Sequence, residues 1–154
     1  SLCKKIKRAM LEQFKRLYDE HGVRRYYVGG ALGVDMWAGE LILRLKEQPG
    51  YGDIELVVVL PFEGHDSKWD ERSKRRMDFL LRMCSDCVVI GKEDCRENYI
   101  KRNCYMVDHA DYLVAVYDNE RNLRSGTMQT VRYAQNKGIT ISFVNPDTAT
   151  VTTN

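Results

Sequence analysis

A chain of 154 residues with 44% hydrophobic and 30% charged side chains has the size and balance of one globular domain that buries a core without staples. Lys plus Arg number 24 and Asp plus Glu 22, so the net charge of +2 argues against a nucleic-acid or anionic-membrane partner. The apolar runs are too short to span a bilayer, no secretory leader is visible, and five cysteines, an odd number, read as reduced thiols of a cytoplasmic protein.

Residues 2–21 place Ile6, Met10, Phe14 and Leu17 at three- and four-residue steps between Lys and Arg, which predicts an amphipathic helix closed by Gly22. Residues 24–29, "RRYYVG", predict a short strand, and a helix follows over about 34–48, ended by Pro49 and Gly50. "DIELVVVLP", residues 53–61, is apolar on both faces, as a parallel strand covered on both sides requires, with Pro61 as its terminator. Ser67 with Asp70 reads as a capping pair that starts a helix to about residue 83, burying Trp69, Met77, Leu80 and Leu81. "CVVIG" at 87–91 predicts a further buried strand, residues 97–109 a helix, and "DYLVAVYD" at 111–118 a strand. A helix opened by Ser125 runs to Asn136, and "ITISFV" at 139–144 is the last strand. Strands and helices alternate with no hairpin turn between them. The expected fold is therefore α/β, a Rossmann-like open parallel sheet of about five strands with helices on both faces. Because the order opens on a helix, a first strand is expected to be missing. Residues 1–146 read as one domain and 147–154 as a loose tail.

Two turns carry the candidate chemistry. "VGGALGVD", residues 28–35, lies at the carboxyl end of a strand, where open parallel sheets bind ligands. Gly29, Gly30 and Gly33 let the backbone turn sharply and approach a ligand, and the next helix offers the positive end of its dipole to an anion. The spacing is not that of the dinucleotide fingerprint. Asp35 has two readings, a cap on the first helical turn or a contact to a ribose hydroxyl or base. Trp37 and Trp69 read as packing residues before they read as stacking on a base, although Trp37 follows the turn closely. The second turn holds Ser125, Gly126 and Thr127 where strand 111–118 meets the next helix, a ready phosphate cradle or simply a cap.

The blocks "GGALGVDMWAGE", "VLPFEGHDSKW", "RNCYMVDHADYLVAVYD" and "SGTMQTVRYA" occur in an order that resembles the YpsA-like proteins of unknown function, in the SLOG superfamily of Rossmann-like domains. They cover most of residues 24–144. That resemblance implies a nucleotide or nucleotide-derived ligand over the two glycine-containing turns, with Arg102, Asn103 and Thr130 joining the site. Relatives include the LOG phosphoribohydrolases and the DNA-processing protein A group. LOG enzymes carry Arg-Lys-x-x-Met and then Gly-Gly-x-Gly-Thr-x-x-Glu. Arg102 matches the enzyme's arginine, whereas Thr130 stands where its glutamate would be. N-glycosidic cleavage needs a group that handles protons or stabilises a cation, which threonine does poorly. Arg102 and Glu40 are therefore the catalytic candidates of the alternative reading, with Asp35 as a further stand-in. YpsA-like proteins usually begin with a strand ending in a Thr-Gly-His-Arg-Pro type stretch, which has no counterpart here.

The remaining constellations read structurally. Cys84 and Cys87 form C-x-x-C, but Cys95 and Cys104 supply no second pair, so buried thiols explain them better than zinc. Lys68, Arg72 and Lys74–Arg76 form a solvated helix face. His65, in a loop after a strand, is a better acid–base candidate than His109 at a helix end. No cofactor or metal motif is present. The expected partner is a nucleotide-like small molecule, with single-strand DNA as a third reading. A homodimer would follow the helix-paired habit of the relatives.

Overall fold

The computed structural model describes residues 1–119 and 126–154. Among these, five helices alternate with five strands, and a sixth strand follows the fifth directly. Helix α1, Leu2–His21, starts where Ser1 accepts the Lys4 amide and stops at Gly22, whose φ of 71° is left-handed. Its buried stripe is Ile6, Ala9, Met10, Phe14 and Leu17. Strand β1, Arg25–Val28, leads into the glycine turn and α2, Val34–Lys46. Strand β2, Glu55–Phe62, is buried from Leu56 onward. Then come α3, Glu71–Met83, β3, Asp86–Gly91, α4, Arg96–Asp108, and β4, Tyr112–Val116. Helix α5, Gly126–Asn136, leads to β5, Thr140–Val144, and β6, Val151–Thr153.

The strands form two three-stranded sheets, β1-β2-β3 and β4-β5-β6, parallel except where β6 runs against β5. This is an α/β, Rossmann-like arrangement. Helices α1, α2 and α3 pack in succession, as do α4 and α5. Successive strand residues point to opposite faces. Thus the Tyr26 hydroxyl donates to the Phe14 carbonyl of α1 at 2.7 Å, while the Tyr27 ring lies 6.1 Å from that of His109 at the end of α4. The two helix groups therefore cover opposite faces. The larger core lies on the α1–α2 face and includes Met36, Ile42, Leu45, Leu56, Met77 and Leu80; a second gathers Val107, Val131, Ala134 and Phe143. No described helix is long and apolar enough to cross a membrane.

Four local expectations are corrected. Pro61 lies inside β2 rather than ending it. The Glu55 amide donates to Arg24, so odd-numbered β2 residues face β1. The β1 ladder ends at Val28–Val58, so no acceptor there requires the N–H that Pro61 lacks. Helix α3 starts at Glu71, not near Ser67, because Asp70 itself caps it by accepting the Ser73 amide at 2.9 Å; Trp69 and Leu81 are half-buried. Strand β3 is an edge, so Cys87 is exposed and Val89 is 46% exposed rather than buried. Residues 151–153 pair as β6 instead of hanging loose. The Asn145 carboxamide oxygen accepts the amides of Asp147 and Thr148 at 2.8 and 3.1 Å and turns the chain back.

Candidate functional site

A cleft of about 890 Å³ opens between β1 and β4. At the carboxyl ends of these strands its rim is formed by Gly29, Ala31, Leu32 and Asp35 on one side and Gly126, Thr127 and Thr130 on the other, with Arg102 and Asn103 of α4 between them. Ser125 lies outside the described residues.

The glycine turn has separate physical reasons for its glycines. A Cβ on Gly29 would stand 2.6 Å from Asp35 Oδ2 and 3.0 Å from Arg102 Nη1, so only a bare Cα leaves room for the two charged groups. Gly33 precedes α2 with φ 82° and ψ −123°, a conformation closed to L side chains, and makes no side-chain cap. The Gly30 carbonyl is turned away from the rim and pairs with His65 Nε2 at 2.9 Å; that ring meets the edge of Trp69.

Asp35 occupies the first turn of α2 but does not cap it. Its carboxylate reaches back to accept the Ala31 amide at 3.4 Å. Burial of the carboxyl raises its pKa; the Arg102 cation and the amides of Ala31 and Gly29 pull the other way without cancelling it. Arg102 is 6% exposed. Its Nη1 donates to the Gly29 carbonyl, and its Nε donates to Asn103 Oδ1 at 2.8 Å. Burial lowers its pKa, opposed chiefly by the Asp35 carboxylate, and a guanidinium remains cationic throughout. Arg102 therefore ties α4 to the glycine turn across 73 residues of sequence. Thr130 turns its hydroxyl back to donate to the Gly126 carbonyl at 3.1 Å, within its own helix.

Not every sequence candidate reaches the cleft. Glu40 points toward α3, where Arg76 Nε donates to its Oε2 at 3.0 Å. Trp37 packs against the core under the Lys7 ammonium, 4.9 Å from the ring centroid. Gly30 and Gly33 shape the turn without lining the cleft. The contributions of Ala31 and Leu32 were not singled out in the sequence, and nothing in their residue types signals a role. Among the described residues no group of three or more His, Cys, Asp or Glu side chains is placed to hold a metal ion.

This geometry sits on a chain whose residues 1–149 match the family model described as the YspA SLOG family. The chain belongs to that family. Within the YspA SLOG family it is similar to UPF0398 proteins. One from Staphylococcus epidermidis is 25% identical over 118 residues, 75% of this chain and 61% of that protein. One from Bacillus cereus is 29% identical over 104 residues, 66% and 55% of the respective chains. A third, from Bacillus thuringiensis, is 28% identical over 118 residues, 75% and 62%. The chain thus spans about three fifths of the length of these curated relatives.

Proposed function

We propose that the rim of the cleft binds a nucleotide or nucleotide-derived small molecule. One observation carries this reading. The glycine turn, the buried Arg102 and the first turn of α5 line one concavity at the carboxyl ends of β1 and β4. Backbone amides at the start of α5 suit an anionic group. Asp35 repels one, so the phosphate belongs on the side of Gly126 and Thr127 and the sugar or base on the side of Ala31 and Leu32. Arg102 already holds the Gly29 carbonyl and faces Asp35, so it supports the turn rather than standing free to grip a phosphate.

The same contacts weigh against phosphoribohydrolysis. Glu40 is engaged by Arg76, Thr130 is bonded within α5, and Asp35 is the one carboxylate the described rim offers. A thermal-shift panel of nucleoside mono- and diphosphates, NAD derivatives and ADP-ribose tests the binding reading. A bound ligand at 100 times its Kd raises stability by about 2.7 kcal/mol, equivalent to several degrees in Tm. No stabilisation by any member would end it. Release of free base from a nucleoside monophosphate would restore the hydrolase reading.

A further inference from the structure

Helix α3 carries apolar side chains where a helix laid on a sheet carries polar ones. Phe79 is 44% exposed and Met83, one turn on, is 50% exposed. With Arg72, Arg75 and Arg82 they recur at three- and four-residue steps and so share one side of the helix. Met77 and Leu80, which keep no exposed surface, turn the other way into the core. The Phe79 side therefore points outward, away from the sheet, and none of its residues lines the cleft.

Arg72, Arg75 and Arg82 are exposed, and their side chains make no ion pair or hydrogen bond among the described residues. Their neighbours on the helix are engaged: Lys74 has Glu71 at 3.9 Å, and Arg76 is held by Glu40 of α2. On α2, which packs against α3, Arg44 stands one turn beyond Glu40 and is equally exposed and unpaired. A solvated face accounts for the arginines but not for two apolar side chains set among them. Phe, Met and Arg are the residue types enriched where proteins meet. The apolar area gains by leaving water, and a guanidinium grips a carboxylate with two parallel N–H bonds.

We infer that the outward face of α3 docks an acidic amphipathic helix of a partner protein, its apolar side on Phe79 and Met83 and its carboxylates on Arg72, Arg75 and Arg82. Charge selects the occupant. A second copy, set α3 against α3, would bring five cations and two acids of one helix against the same set on the other. A nucleic-acid strand would find one ring to stack on, and the exposed carboxylates of Glu71 and Asp78 on the same helix. A membrane would find two apolar side chains, too few to hold a protein at its surface. An acidic helix answers both the apolar pair and the free cations at the same spacing. The rim takes no part, so the inference stands whatever the rim binds.

The test is fluorescence anisotropy of a labelled peptide, Glu-Gln-Leu-Glu-Ala-Leu-Leu-Glu-Gln-Leu-Glu-Ala-Leu-Leu-Glu, titrated with the 154-residue chain at low salt. Saturable binding is expected, with Kd raised about tenfold or more by Arg75→Glu with Arg82→Glu, and likewise by Phe79→Ser with Met83→Ser. Peptides with Lys for every Glu, or Ser for every Leu, should bind more weakly by a similar factor. No saturable binding, or a Kd that neither pair of substitutions raises, overturns the inference. Equal binding of the Ser peptide would reduce the face to unspecific charge attraction and overturns it too. So does tighter binding of an oligothymidylate or of phosphatidylserine vesicles that the same substitutions weaken. If a substituted chain fails to fold, the unsubstituted chain decides by NMR. The acidic peptide should shift the amide signals of Phe79 and Met83 and leave those of Val114 and Val116 in place; unmoved Phe79 and Met83 signals sink the proposal.

Discussion

At the scale of single residues, Asp35 and Arg102 set the terms of the rim. Arg102 is buried and Asp35 half-buried beside it, and each partly offsets the cost of the other. For Asp35 burial prevails, so the folded chain holds its proton more tightly than the unfolded chain does. The sign follows by linkage. Protonated Asp35 contributes stability below the ordinary carboxylate range, about pH 4, and that contribution is lost as pH rises through the folded value. Asp35→Asn cannot ionise and lacks this slope. In urea unfolding between pH 4 and 7, Asp35→Asn is expected to gain on the wild-type chain as pH rises. A wild-type chain that gains on the variant would show that Arg102 outweighs burial and holds the carboxyl low.

At the scale of elements, what was legible in the sequence was what local chemistry dictates. The apolar steps of Ile6, Met10, Phe14 and Leu17 and the terminal Gly22 locate α1 at the residues where it is found. Gly22 also gives a clean prediction. A Cβ there meets nothing within 4 Å, so Gly22→Ala is strained by its left-handed backbone alone. The expected loss is about 1 kcal/mol, read as a fall in Tm of about 3 °C. A fall beyond about 8 °C would mean that packing is lost as well. What the sequence hid depended on neighbours. "CVVIG" has the composition of a buried strand, but its burial was decided by its place at the end of the order β1-β2-β3. Pro61 reads as a terminator until the partner strand is seen to stop first. The same holds for the rim. The glycines and their strand-end position were readable, whereas the bond from Arg102 to Gly29 is a tertiary contact with no local signature.

At the scale of the whole molecule, the unjoined sheets give the chain two halves of unequal strength. The β1-β2-β3 half is packed by α1, α2 and α3 around a core that holds Met36, Leu45, Leu56, Met77 and Leu80 without exposed surface. The β4-β5-β6 half has a smaller cluster around Val131, Ala134 and Ile141. Helix α1 bridges them through its packing on β4 and β5 and through Arg16, which donates to Ser142 Oγ at 3.3 Å. Opening that exposes less apolar surface requires less free energy, so the second half should open before the molecule unfolds as a whole. In native-state hydrogen exchange, the β2 amides of Val57–Val59 should exchange only through global unfolding. The β4 amides of Leu113 and Ala115, bonded to β5, should exchange through a smaller opening with a weaker dependence on denaturant. Identical exchange energies in both sheets would mean that α1 welds the halves into one cooperative unit. In that case the cleft between β1 and β4 would be a rigid feature rather than the seam along which the protein first comes apart.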